Sequence, residues 1–243
     1  MLATFIDELI PGVLHNFANP LNGIMGRAKL LQRRFDEFIR KMEEKYPGAG
    51  QELGQEKIAG DINTIALETD RFFLIFRGLA GKFSLLSSRE TERINISQLI
   101  ETEMQFSDFY LDFKHDFKKN VQLDFNLPEF VGNPAEYSLC ISAMFRSAQV
   151  RMKDCLEKEI SVCTSHDETC ISVEIQDKGL AISEACRLLG GETPGPEGNF
   201  LSAIDHADQG LYLALLLLKQ NGVSMQVKGE TGCNRLVLQI PYR

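Results

Sequence analysis

Apolar positions in the first third of the chain recur at alternating steps of three and four: Leu21, Ile24, Ala28, Leu31, Phe35, Phe38 and Met42. That spacing keeps one face of an α-helix apolar over several turns, as in the seam of a coiled-coil-like bundle. Pro47, Gly48 and Gly50 break the run, as residues without helical preference do. A second series follows at Ile58, Ile62, Ile65, Thr69, Phe72, Phe76, Leu79, Phe83 and Leu86. Two helices joined by a short turn predict an antiparallel hairpin. Two helices alone cannot cover a stripe so rich in Phe and Ile. The hairpin therefore docks on the rest of its own chain or on a second copy, and the simplest partner is the second copy, a homodimeric four-helix bundle.

The pattern changes after Ser88. Ile94–Ile96 reads as a short strand, Ser97 to about Lys114 as a helix capped by Ser97 with Glu101 nearby, and Val121–Leu127 as a strand. Pro134 to about Met152 reads as a helix, and Glu159–Thr164 with Thr169–Asp177 as a hairpin. A helix around Leu211–Asn221 and strands at Ser224–Lys228 and Arg235–Pro241 follow. The expected architecture is an α helical hairpin over residues 1–90, then an α+β sandwich over residues 91–243. Gly190–Gly198, with Gly-Gly-Glu-Thr-Pro-Gly-Pro-Glu-Gly, is expected to be a mobile loop.

Composition narrows the function classes. With 34 Asp and Glu against 26 Lys and Arg, the chain is acidic and has no basic patch, so nucleic-acid binding is not expected. The longest apolar run, Leu211–Leu218, is far short of a membrane span, and no secretory leader opens the chain. The six cysteines (140, 155, 163, 170, 186 and 233) lack metal-type spacing and read as reduced, mostly buried thiols of a cytoplasmic protein. Cys163 and Cys170 are placed to face each other across the hairpin, although a disulfide is the lesser reading in a reducing compartment.

His15 lies at the start of the first helical pattern, just off the seam carried back through Leu14 and Phe17, and is expected to point outward. Pro20 follows five residues later and is expected to bend the axis. On those facts alone, a solvated surface histidine is the better reading. The segment His15-Asn-Phe-Ala-Asn-Pro-Leu-Asn-Gly-Ile24 changes this. It resembles the phosphoacceptor motif of two-component histidine kinases, in which a histidine is followed five residues on by proline and then leucine. The helical hairpin is similar to that family's dimerisation and phosphotransfer domain, and the later elements follow the order of its ATP-binding domain. The resemblance implies that a ring nitrogen of His15 accepts a phosphoryl group and exchanges it with an aspartate of a response-regulator receiver domain. It also implies a base directly after the histidine, where Asn16 stands and cannot take a proton. Asn19 matches the residue that positions water for dephosphorylating the partner.

The nucleotide motifs implied by the resemblance are degraded. The asparagine-bearing helix falls on Ala143-Met-Phe-Arg-Ser-Ala148, so Ala143 and Ser147 replace its two asparagines, and a serine hydroxyl is a poor Mg²⁺ ligand. The adenine-binding motif becomes Asp177-Lys-Gly-Leu-Ala181, retaining Asp177 and Gly179. The phosphate-side motif becomes Asp208-Gln-Gly-Leu-Tyr-Leu213, in which Gly210 survives and Tyr212 is expected to fill the phosphate space. Ala143, Ser147 and Tyr212 also read as plain core packing, while Lys178 and Arg146 read as surface or salt-bridged residues.

The leading expectation is a phosphorelay protein that passes phosphoryl between receiver aspartates through His15, with Asp177, Gly179 and Gly210 as the remnant of a nucleotide site and no bound metal or cofactor. Its partners are receiver domains and a second copy of itself. Three other readings stay open: a divergent but active kinase core that uses ATP and Mg²⁺, a receiver-aspartate phosphatase working through Asn19, and a non-catalytic scaffold.

Overall fold

The computed structural model describes residues 2–48, 55–88, 90–108, 111–190 and 204–242, and of residues 2–16 and 111 the backbone only. The chain divides into two compact units, Met1–Phe83 and Ser84–Arg243.

The first unit is built from α1 (Leu2–Lys45) and most of α2 (Gln55–Ser87). Helix α1 runs on through Pro11 and Pro20. It ends where Gly48 takes a left-handed φ of 86°, with its N–H donating to Glu43 Oε2 at 3.0 Å. That conformation costs a glycine nothing. Lys29 pairs with Asp70 at 3.0 Å, and Gln32 Nε2 donates to Asn63 Oδ1 at 3.5 Å. Rising numbers on α1 meet falling numbers on α2, so the helices are antiparallel.

The expected seam separates into two lines. Leu21 and Ala28 on α1 are buried, as are Ile62, Ala66 and Thr69 on α2. Phe17, Ile24, Leu31 and Phe38, each seven residues apart, lie on the surface at 50–59% exposure, and Ile58, Ile65 and Phe72 do so on α2 at 48–54%. A heptad offers two apolar positions, and here one closes the hairpin while the other faces out. Among the described residues, no helix is long and apolar enough to cross a membrane.

The second unit is an α/β domain. Its elements are β1 (Glu92–Ile94), α3 (Ile96–Ser107), α4 (Leu111–Asp116), β2 (Lys118–Gln122), β3 (Phe130–Gly132), α5 (Pro134–Arg151), β4 (Glu159–His166), β5 (Cys170–Asp177), α6 (Glu184–Leu189), α7 (Gln209–Gln220), β6 (Ser224–Glu230) and β7 (Cys233–Pro241). Five strands form a sheet in the order β2-β4-β5-β7-β6, parallel only between β2 and β4, while β1 and β3 pair separately. Burial alternates along the strands, as in an antiparallel sheet with one face covered. Ile160, Val162, Ile171, Val173, Leu238 and Ile240 join Ile100, Phe145, Leu211 and Leu215 in one core.

Several boundaries differ from the sequence reading for identifiable reasons. The α3 cap is Asn95, whose side chain accepts from Gln98 N at 3.2 Å. Ser97 is instead buried, donating to Asp124 O at 2.6 Å and lying 2.8 Å from Thr164 Oγ1. The single helix expected to reach Lys114 is two, α3 and α4. Strand β2 sits three residues earlier than expected, where it pairs with β4. Cys163 lies opposite Glu174, and Cys170 opposite Pro241 on the neighbouring strand, so the two thiols do not face each other. Cys140 and Cys186 are buried, whereas Cys163 and Cys233 are exposed. The Gly190–Gly198 loop lies, after Gly190, outside the described residues.

Candidate functional site

Helix α5 begins at Asn133, whose side chain accepts from the N–H groups of Ala135 and Glu136, with Pro134 in the first turn. Residues one turn apart share a helix face, so Ala143, Ser147 and Arg151 form one line. Arg151 closes the helix at 5% exposure. A guanidinium is tolerated there only if its charge is met. Its Nη2 lies 2.5 Å from Asp177 Oδ2, and its Nη1 lies 2.6 Å from Asp208 Oδ1 and 2.5 Å from Ser147 Oγ. Ser147 in turn donates to Asp208 Oδ1 at 2.7 Å.

Both carboxylates accept further bonds. Asp177 Oδ1 accepts from Gly179 N at 2.9 Å and from Asn234 Nδ2 at 2.8 Å. Asp208 Oδ2 accepts from Ser183 N at 2.7 Å. Asn234, 1% exposed, also donates to Leu180 O at 2.8 Å and accepts from Ile182 N at 3.0 Å. The chain Asp177–Arg151–Asp208 thus joins the end of β5, the end of α5 and the start of α7. Backbone N–H groups and two side chains balance the surplus negative charge.

The sequence-predicted residues fall around this chain. Gly179 is needed for close packing: a Cβ there would meet Arg151 Cβ at 2.8 Å and Asp177 Oδ1 at 2.9 Å. Gly210 is under no such constraint, since a Cβ would reach only Ala143 Cβ at 3.9 Å. Tyr212 is buried within the hydrophobic core, in keeping with the packing role. Ser147 is a member of the ion network and more than packing. Lys178 is salt-bridged to Glu157 at 2.7 Å and Glu159 at 3.1 Å. His15 lies within α1, one turn before Asn19, which is exposed; the side chains of His15 and Asn16 lie outside the described residues.

Asp177 is 5% exposed and Asp208 2%, and both are already bonded to Arg151. Arg151, Asn234 and the Gly179 N–H take three of the roughly four acceptor sites of Asp177. Asp208 is the N-cap residue of α7, but its carboxylate makes no cap bond to the helix and is held by Arg151, Ser147 and Ser183 N instead. Cys186, beside Asp208, is held neutral: burial pushes its thiol up to about 11. Among the described residues, no group of three His, Cys, Asp or Glu side chains is disposed as a metal site.

Arg151 is the functional residue that sequence reasoning missed. Its signal was a lone cation in Val150-Arg151-Met152, one turn after Ser147. Nothing local says that it reaches two aspartates, 26 and 57 residues further along the chain.

No family model matches the chain, and no curated protein matches it. Solved structures do. Histidine kinases are what it is similar to. A mycobacterial sensor histidine kinase is 14% identical, covering 63% of this chain and 97% of its own, with a TM-score of 0.48. The histidine kinase domain of a blue-light-activated kinase from Erythrobacter litoralis is 17% identical over 76% of this chain and 87% of its own, at 0.47. A histidine kinase of Acinetobacter baumannii is 10% identical over 83% of this chain and 98% of its own, at 0.46. Scores and identities this low carry no residue role across; the roles rest on this chain's own geometry.

Proposed function

We propose that this protein is a two-component phosphorelay component that transfers phosphoryl groups between receiver-domain aspartates through His15, with an ATPase-like second unit that has ceased to take ATP. The observation that carries this reading is the Arg151 guanidinium bonded to both Asp177 and Asp208. It holds both aspartates in a buried setting where breaking one arm is costly, so a nucleotide would have to compete with it. With that route closed, the phosphoryl group comes from an aspartyl phosphate. A ring nitrogen of His15 attacks phosphorus, the bond from phosphorus to the carboxylate oxygen breaks, and the aspartate leaves. The reverse step on a second receiver completes the relay. Asn16 suits this chemistry, because an aspartyl phosphate is an activated donor and needs no base at the acceptor's side.

The exposed stripe of Phe17, Ile24, Leu31 and Phe38 supports pairing of two hairpins into a four-helix bundle. The receivers dock on that bundle.

The direct test of the closed site is titration with a fluorescent ATP analogue and Mg²⁺. No saturable signal at millimolar concentrations is expected. Saturable, Mg²⁺-dependent binding that ATP competes away overturns the reading in favour of an active kinase core.

A further inference from the structure

Strands β2 and β6 are the two edges of the larger sheet. The β6 edge is covered: the end of α6 comes so close that a Cβ on Gly190 would meet Val227 N at 2.9 Å. The β2 edge is open. Lys118 N donates to Lys158 O at 2.8 Å, on the side of β4. The alternation of a strand therefore turns the N–H and C=O groups of Lys119 and Val121 the other way, outward. Among the described residues, nothing bonds to them there.

Native sheets guard such an edge, often with lysines that project from it. Both lysines of β2 are tied up instead. Lys118 Nζ is drawn back to Glu159 at 3.4 Å. The Lys119 ammonium is bonded to Asp108 and stands 4.4 Å from the centre of the Phe113 ring.

Beside the edge runs a groove of about 400 Å³, with Glu101, Met104 and Gln105 of α3 on one side and Val121, Leu123 and Phe125 on the other. Lys119 and Val121 are in register with the buried Ile160 and Val162, so their side chains lie on the face that the helices cover. The helical layer stops short of the edge, and Val121 remains 43% exposed and Phe125 47%. An apolar strip alongside unmet main-chain groups at every second residue fits an extended chain; a helix could fill the groove but would leave those groups unmatched. With Lys119 held by Asp108, the charge left in the groove is that of Glu101, which is exposed and pairs with no cation among the described residues. Asp108 lies at the Lys119 end of the groove, while Asn95 Nδ2 donates to Phe125 O at 3.1 Å, so Glu101 lies towards the Phe125 end.

We infer that β2 accepts an extended segment of a partner protein as an added antiparallel strand, with alternate apolar side chains against Val121 and Phe125 and a basic residue at its start against Glu101. The inference is independent of the phosphotransfer reading, since neither the Arg151 network nor the His15 helix contributes to the groove.

The test uses a synthetic peptide, acetyl-Arg-Thr-Val-Thr-Val-Thr with a fluorescent label at its C-terminus, titrated with the full chain and followed by anisotropy. Saturable binding is expected. By NMR, the Lys119 and Val121 amides should exchange fast in the free protein and slowly with peptide, with Lys118 slow in both. N-methylation of both valines removes the amides that pair with β2 and should abolish binding, whereas N-methylation of the threonines, whose amides face away, should preserve it. Val121→Pro deletes a donor that the β2–β4 ladder does not use, so it keeps the fold and should weaken binding about tenfold. Glu101→Lys should weaken it about threefold, as an exposed ion pair does. Unchanged unfolding curves confirm the fold of both variants. Absence of saturable binding overturns the inference, as does binding that leaves Lys119 and Val121 in fast exchange or that is unchanged in folded Val121→Pro. Protection of those amides that grows with protein concentration, without peptide, would assign the edge to a second copy and equally overturn it.

Discussion

Arg151 and Asp177 meet at 2.5 Å with side chains only 5% and 4% exposed, and the same guanidinium reaches Asp208 at 2.6 Å. A buried pair of this kind adds little compared with an apolar replacement of both partners, but removing one partner strands the other's charge. Arg151→Met should therefore lower stability by about 3–5 kcal/mol. Urea denaturation at neutral pH checks this. A loss below about 1 kcal/mol would mean that the aspartates are already solvated.

The network should also couple its members. Asp208→Asn and Arg151→Met, combined, should cost less than the sum of the two single changes, by about 0.5–3 kcal/mol. A double-mutant cycle on the unfolding free energies measures it. Strict additivity would separate the two side chains energetically and remove the ground for a closed site.

On the hairpin, the two heptad lines should answer differently to substitution. Ile24→Glu with Leu31→Glu charges the outward line, and analytical ultracentrifugation should show monomers with helical content retained. Leu21→Ala acts on the inward line and should cost about 2–5 kcal/mol of stability. A charged outward line that leaves a dimer intact would place the dimer contact elsewhere.

The thiols separate by environment. Burial pushes Cys140 up to about 12 and Cys186 up to about 11, so both stay protonated in the fold at pH 8. Cys163 and Cys233 are exposed and should alkylate first under iodoacetamide, as mass spectrometry resolves by site. The same shifts set a pH window. In the unfolded chain these thiols ionise near 9.0, so their contribution is fully present below that and is lost as pH rises towards 11 and 12. Stability that stays flat from pH 9 to 11 would contradict the burial.

Periodicity made most of the architecture legible. The seam through Leu21, Ala28 and Ile62 and the alternation in β4, β5 and β7 are local signals, and they appear at their expected places. The Ser97 cap failed because Ser97 has long-range partners, Asp124 and Thr164, that outweigh its local preference. The α3–α4 break at Asp108 carries no proline or glycine to announce it. The site was half legible. Motif spacing selected Asp177, Gly179 and Gly210, of which Asp177 and Gly179 lie at the network and Gly210 is under no packing constraint. Ser147 was only a replaced asparagine, Asp208 was passed over, and their common partner, Arg151, belongs to no motif. Its role depends on three chain segments converging, which no window of sequence contains.

The most direct test of the account is a paired incubation of wild type and His15→Ala, one with labelled ATP and Mg²⁺, the other with a pre-phosphorylated receiver domain. The account predicts acid-labile, base-stable label on the wild type from the receiver alone, and none on His15→Ala from either source. Label arriving from ATP, or label from the receiver that persists in His15→Ala, would contradict it.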